Sequence, residues 1–228
     1  MKRSDINRIM REALAFMEGF GVVLPPFAHW SPGELRKRAT PAIVETRLGW
    51  DITDYGVGRF DEMGLFLFTT RNGRPENLKS GRGITYAEKV MISRDRQLSP
   101  MHTHVTKTED IINRGGGTLV IELFGSHDGA IDETGDVTVM SDGRPVTLPA
   151  GGRLELAPGA SVTLEPGDWH AFWGEGDVLI GEVSTVNDDL TDNVFREPIG
   201  RFSNIEEDEE PWRLLVSDYD AWLAPASR

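Results

Sequence analysis

The stretch MHTHVTKTED, residues 101–110, holds two histidines two positions apart and a glutamate five positions further on. On a β-strand, residues i and i+2 point to one face, so His102 and His104 offer both imidazoles to one ion with little backbone distortion. The offset from His104 to Glu109 is odd. A straight strand would turn the glutamate to the other face, so VTKT (105–108) must bend, bulge or cross a turn for the three to converge. The fourth candidate ligand is His170 in LEPGDWHAF (164–172). There Pro166-Gly167 supplies a tight turn after the strand SVTL, and His170 opens the next strand. The pattern reads as a four-ligand metal site carried on short strands. The two other histidines, His29 in PPFAHW and His127 in GSHDG, stand in loop-like surroundings.

Runs rich in strand formers surround this centre. GLFLFTTRNGR (64–74) reads as a buried strand running into an Asn-Gly turn, and ITYAEKVMI (84–92) as another strand. GTLVIELF (117–124), a hairpin about Asp142-Gly143 in DVTVMSDGRPVTL (136–148), ASVTL (160–164) and VLIGEVSTV (178–186) follow. Gly, Pro and Asp punctuate them at the spacing of sandwiches and barrels. Before about Trp50 the character is helical. Ile6, Ile9, Met10, Ala13, Leu14 and Met17 recur at helical spacing, with Ser4 as the expected cap and Gly19, Gly21 and LPP (24–26) as the stop. A second short helix begins at SPGE, where Ser31, Pro32 and Glu34 make a capping box. The tail EPWRLLVSDYDAWL (210–223) fits either a closing helix or an extended arm. The expected fold is mainly β, one β-barrel or jelly-roll domain over 1–228, with residues 1–45 as a helical extension packed on it.

The formal net charge is −13, which disfavours nucleic acid and anionic membrane surfaces as partners. Part of it lies in EEDEE (206–210), read as a solvated loop. There is no cysteine, so disulfides, thiolate metal sites and thiol nucleophiles are excluded together. MKRSDINRIM lacks the apolar run of a secretory signal, and no stretch approaches the ~18 apolar residues of a membrane helix. A cytoplasmic location is expected.

HTHVTKTEDIINRGG resembles the first cupin motif, with His102, His104, Glu109 and Gly116 at its fixed positions. The second cupin motif is matched at Gly159, Gly167 and His170. It departs at Glu165, where the proline has moved on to Pro166, and at Gly174, where asparagine is the rule. LPPFAHWSP, TRLGWDITDYG, YAEK, EDIINRGGG, GEVSTVNDD and DNVF together resemble the bacterial D-lyxose isomerases, cupin-type aldose–ketose isomerases. The resemblance implies a cupin barrel with Mn²⁺ on the four ligands; Fe²⁺, Co²⁺, Ni²⁺ or Zn²⁺ suit the same donors. It also implies a monosaccharide substrate, D-lyxose and D-xylulose or D-mannose and D-fructose, and a homodimer by analogy with other cupins. The metal would polarise the carbonyl while a base and an acid move protons through a cis-enediol.

Lys107, between His104 and Glu109, and Glu182, inside the apolar strand VLIGEVSTV, are the expected acid–base pair. Alternation sets Glu182 on one face with Ile180 and Ser184, opposite Gly181 and Val183. Lys89, Asp189 and Arg196 are candidates for sugar hydroxyls, and Trp30, Trp169 and Phe172 for an apolar wall. Two other functions share this ligand set: an Fe²⁺-dependent cupin dioxygenase and a non-catalytic sugar-binding cupin. A sugar phosphate is disfavoured, because the acidic chain shows no phosphate-binding phrase.

Overall fold

In the computed structural model of the chain, which describes residues 1–223, the order is helices first and strands after. α1 spans Arg3–Gly19, a 3-10 turn covers Pro26–His29, and α2 (Pro32–Arg38) and α3 (Pro41–Glu45) follow. Then come β1 (Gly49–Thr53), β2 (Leu65–Asn72), α4 (Pro75–Ser80), β3 (Tyr86–Ser93), β4 (Ser99–His104) and β5 (Glu109–His127). The rest are β6 (Ala130–Asp132), β7 (Val137–Ser141), β8 (Arg144–Leu148), β9 (Gly152–Leu156), β10 (Ser161–Leu164), β11 (Trp169–Thr185) and β12 (Asn193–Phe195). The chain closes with a 3-10 turn at Val216–Asp218 and α5 (Tyr219–Trp222), so the tail is an extended arm ending in a helical turn. The mainly β architecture with N-terminal helices is the one expected.

The strands pair antiparallel in the order β1-β2-β3-β11-β5-β10-β7-β8, with β4 on β11 and β12 on β4. β11 is the hub. It pairs with β3, β4 and β5, and its two ends carry His170 and Glu182. Sequence reading takes these as two strands, and it likewise starts one at Gly117 where β5 begins at Glu109. Register shifts explain the difference: the β11–β5 ladder is irregular between Glu175 and Val178, so each long strand bends there without ending. At Gly116 the bend needs glycine. Its φ is +94°, and a Cβ would lie 2.1 Å from the Asp177 carbonyl oxygen.

Two apolar layers hold the barrel. Its interior packs Leu67, Met91, Ile111, Ile121, Phe172 and Ile180 among others. Its outer face on β1–β3 is covered by α1, whose Ile6, Ile9, Met10, Ala13 and Met17 meet Trp50, Phe66, Phe68, Ile92 and Leu179. The helical period puts those five residues on one stripe of α1. Burying one such side chain contributes ~1.5–3 kcal/mol, so the helix is held mainly by its apolar stripe.

Local signals hold at several points. Ser31 and Glu34 form the capping box of α2. The β7–β8 hairpin turns at Asp142-Gly143, both at positive φ, as a two-residue primed turn requires. Others are redirected. Asn72-Gly73 does not close a hairpin, because Pro75 starts α4 at its first position and carries the chain away before β3. Ser4 does not cap α1; its own N–H and hydroxyl donate to Asp208. EEDEE is an exposed loop, as expected, and it is also held in place. Glu207 pairs with Arg3, Asp208 with Ser4 and Glu209 with Asn7, so the run clasps the start of α1, where the helix dipole favours negative charge.

Candidate active site

Register brings the histidines together. His102 of β4 lies opposite His170 of β11, and their ring centroids are 4.1 Å apart. One ring nitrogen from each of His102, His104 and His170 falls within 4.8 Å of the others. His102 Nδ1 lies 2.8 Å from the Pro100 carbonyl oxygen and His170 Nδ1 3.1 Å from that of Asp168. An N–H at each Nδ1 donating to those carbonyls leaves both Nε2 lone pairs free. Glu109 Oε1 is 3.3 Å from the Nε2 atoms of both His104 and His170. Those two nitrogens are buried with no hydrogen-bond partner, a costly state unless a ligand satisfies them. The donor set fits a divalent ion: three imidazole nitrogens converging beside a carboxylate.

The odd offset resolves as a bend. β4 ends at His104, β5 begins at Glu109, and the segment between them is neither strand nor helix. The bend turns Lys107 inward, where it is 3% exposed. Its ammonium lies 2.5 Å from Glu109 Oε2 and 3.1 Å from Glu182 Oε1. Glu182 stands directly opposite Lys89 across β11 and β3, with Lys89 Nζ 3.1 Å from its Oε1. The Glu182 carboxylate thus sits between two ammonium groups. Ile180, Glu182 and Ser184 are all buried while Val183 is exposed, which is the alternation expected of a strand with one face inside a barrel.

Burial alone would pull the Lys107 ammonium down. Glu109 and Glu182 outweigh it and hold the group above the ordinary lysine value. Burial would push Glu109 up, but Lys107, then His104 and His170, keep it well below the usual carboxylate range. Burial and the neighbouring histidines push His102 well down, and burial and Lys107 lower His104. All three imidazole and carboxylate shifts favour the metal-ligating form, neutral imidazole and ionised carboxylate.

Lys89, His102, His104, Lys107, Glu109 and Glu182 line a pocket together with Tyr55, Ser99, Phe172, Asp189, Phe195 and Arg201. Of the residues expected from sequence, Lys89, His102, His104, Lys107, Glu109, Phe172, Glu182 and Asp189 meet there, with His170 behind Glu109. Trp30 and Arg196 do not. Trp30 packs on Phe27 in the cluster under the C-terminal arm, and Arg196 pairs with Glu133 at the surface. Both are aromatic or charged residues in phrases adjoining the site, and chain proximity misplaces them. Trp169 belongs to a small cluster with Met101 and Ala171. His29 and His127 are exposed.

Sequence reasoning missed Arg201 and Asn187. Arg201 Nη2 lies 2.7 Å from Asp51 Oδ2 and 3.2 Å from Asp189 Oδ1, while Arg201 Nη1 and Asp51 Oδ1 are buried without partners. Burial would raise Asp189, but Arg201, Lys89 and Lys107 hold it well below the usual aspartate value. Asn187 Oδ1 accepts from Lys89 Nζ at 2.7 Å. Neither residue stands at a motif spacing; only the phrase GEVSTVNDD flagged the neighbourhood.

The D-lyxose isomerase family profile matches residues 1–219. The chain belongs to the D-lyxose isomerase family. A D-lyxose/D-mannose isomerase of Serratia proteamaculans is 49% identical, covering 98% of this chain and all of that protein. The D-lyxose/D-mannose isomerase of Escherichia coli O157:H7 is 44% identical over 96% of this chain and 98% of its own length. Among solved structures, the L-ribose isomerase of Acinetobacter sp. DL28 superposes with a TM-score of 0.60 at 16% identity, over 90% of this chain and 98% of that one. The L-ribose isomerase of Geodermatophilus obscurus gives 0.60 at 15% with the same coverage. These two likenesses establish the cupin-type fold. Of the three activities that share the ligand set, family membership selects the aldose–ketose isomerase over the dioxygenase and the non-catalytic binder.

Proposed function

We propose that this D-lyxose isomerase family member interconverts D-lyxose with D-xylulose and D-mannose with D-fructose, through a cis-enediol, in one cupin unit spanning the chain. The observation that carries the reading is the Glu182 carboxylate held between Lys107 and Lys89 on the wall of the histidine-lined cavity. His102, His104, Glu109 and His170 would hold Mn²⁺, and Fe²⁺, Co²⁺, Ni²⁺ and Zn²⁺ suit the same donors. When bound, the ion supplies Lewis-acid polarisation of the sugar carbonyl.

The chain's own groups supply the proton chemistry. A Glu182 carboxylate oxygen takes the proton from C2 of the aldose, exchanges it with solvent and delivers a proton to C1, giving the 2-ketose. Lys107, kept protonated by Glu109 and Glu182, gives a proton to O1 as that oxygen gains charge, and the resulting amine takes back the proton that the O2 hydroxyl releases. Lys89, held in turn by Asn187, orients the Glu182 carboxylate and borders the substrate space. Asp189 and Arg201 offer an acceptor and a donor to sugar hydroxyls, and Phe172 offers an apolar surface.

The same reading takes the enzyme as a cytoplasmic homodimer, by analogy with other cupins. Among the described residues no helix is long and apolar enough to cross a membrane. Light scattering after size exclusion reads the subunit number.

The test of function is to strip the metal with a chelator, restore Mn²⁺, and assay D-lyxose, D-mannose and L-ribose in D₂O. Ketose carrying solvent deuterium at C1 is expected from D-lyxose and D-mannose, and activity should vanish on chelation and return with the ion. Ketose formation from neither sugar overturns the reading. Ketose without label overturns the enediol route.

A further inference from the structure

We propose that Asp192 is a positioning residue, one that sets both the bend carrying Lys107 and the ring of His104. Every backbone N–H from 105 to 107 is donated to this one residue. Its Oδ1 accepts from Val105 N at 3.1 Å, Thr106 N at 2.7 Å and the Thr106 hydroxyl at 2.7 Å, and its Oδ2 from Lys107 N at 3.1 Å. Val105 N is shared with the Asp192 carbonyl oxygen at 3.2 Å. Successive N–H groups at a bend form a concave anion site, and here the chain fills it with its own carboxylate.

Asp192 is itself fixed. Its N–H donates to the Asp188 carbonyl oxygen at 3.1 Å, at the end of a turn that the Asp188 side chain closes on Leu190 and Thr191. The next residue starts β12, with Asn193 opposite His104. The carboxylate therefore ties the 105–107 bend to a second, independently braced segment that is 5% exposed at Asp192.

Two site groups follow from this anchor. The Lys107 backbone position, fixed by its N–H, sets how its ammonium meets Glu109 and Glu182. The His104 ring is the one of the three whose Nδ1 has no carbonyl to bond; it faces Asp192 Oδ2 at 3.7 Å. That negative charge favours the proton on Nδ1 and leaves Nε2 free on the Glu109 side, the job that Pro100 and Asp168 carbonyls do for His102 and His170.

The proposal rests on the metal-dependent isomerase reading above, and its experiment has one readout that does not. Asp192→Asn, Asp192→Glu and wild type are titrated with Mn²⁺ by calorimetry, then assayed with saturating Mn²⁺ and varied D-lyxose. Asp192→Asn should weaken Mn²⁺ about 10- to 100-fold, as loss of a partner behind a metal ligand does. Its kcat should fall at least about tenfold with KM within twofold, since Lys107 is misaimed and the sugar contacts remain. Asp192→Glu, which keeps the charge, should recover part of the Mn²⁺ affinity.

A merely structural Asp192 lowers the melting temperature and nothing else; wild-type Mn²⁺ affinity and kcat in Asp192→Asn overturn the proposal. Should Asp192→Asn fail to fold, Thr106→Val removes one donor alone. A several-fold loss in both readouts supports the proposal, and no change in either overturns it. A wild type that binds Mn²⁺ but isomerises no sugar removes the isomerase reading and leaves the Mn²⁺ titration to decide on Asp192.

Discussion

The N-terminal clasp and the barrel cavity both bury charge, and they are finished differently. At the N-terminal clasp, Arg3 is fully buried and every guanidinium nitrogen is used. Nε and Nη2 bond Glu207 at 2.8 and 2.6 Å, and Nη1 and Nη2 bond Asp218 at 3.0 and 2.8 Å. No Arg3 atom is left over, so the cluster has nothing to offer a ligand. In the barrel cavity the charges are also paired, yet both ring nitrogens of His104, Nε2 of His170, Nη1 of Arg201 and Oδ1 of Asp51 are buried without partners. A satisfied cluster is a rivet; an unsatisfied one is waiting for chemistry.

The sharpest way to break this contrast is to exchange the expected effects of single substitutions. Glu182→Gln should lower kcat by about 10²- to 10⁴-fold, the usual worth of a positioned general base. Its thermal melt should stay near that of wild type, because Lys107 keeps Glu109 and Lys89 keeps Asn187 as partners. A variant with normal turnover would remove Glu182 from the chemistry.

The clasp should behave in the opposite way. Arg3→Met leaves Asp218 buried without its cation and should cost about 3 kcal/mol in chemical denaturation, the lower end for breaking a buried ion pair, since Glu207 is half-exposed. Its kcat and KM should match wild type. A kinetic defect in the folded variant would join the two clusters functionally.

The last effect concerns pH, and it separates the clusters by window. In the metal-free protein His102 and His104 are held below the ordinary histidine value by burial first and by their charged neighbours second. The unfolded chain therefore takes up protons below about pH 6.5 that the folded chain refuses, so stability falls as the pH falls from there. The slope should be on the order of 1 kcal/mol per pH unit for each such histidine. Glu207 is depressed by its hydrogen bond to Arg3, so its contribution is present above the unfolded glutamate value and is lost only as pH falls below it. Denaturation of metal-free protein at pH 7.5, 6 and 5 should show the first loss in wild type, and no loss in a variant with His102 and His104 replaced by asparagine. An unchanged stability in wild type would contradict the burial of neutral imidazoles.

Legibility in the sequence followed the range of the interaction. His102 and His104 were readable because a strand's period of two is local. The bend at 105–108 was readable because Glu109 has the wrong parity for a straight strand. The helical stripe of α1, the Ser31 capping box and the Asp142-Gly143 turn are equally local, and each stands as expected. At Gly174, where the cupin motif has asparagine, a Cβ would lie 2.4 Å from the Gly176 carbonyl oxygen, so the tight turn in this chain accounts for the departure.

What failed was long-range. Ser4 reads as a cap until Asp208, 204 residues away, takes its N–H. EEDEE is as solvated as it reads, but nothing local shows that Arg3, Ser4 and Asn7 are brought against it. Arg201 carries no signal at all, because its partners Asp51 and Asp189 lie in other segments and no periodicity links them. Trp30 and Arg196 fail for the converse reason: each is near a site phrase in the chain and outside the cavity in space.

Residue types, spacing and phrase therefore suffice for the fold class, the histidine pair with its glutamate, and the family. Whether a buried charge is a rivet or part of the site depends on which partners the folded barrel delivers to it. Glu182 shows the division plainly. Alternation assigns it a face, but only antiparallel pairing with β3 and the inward bend at Lys107 decide that two ammonium groups meet it there. Periodicity is written into neighbouring residues, whereas the pairing of charges is fixed by strand register and loop anchoring across the whole chain.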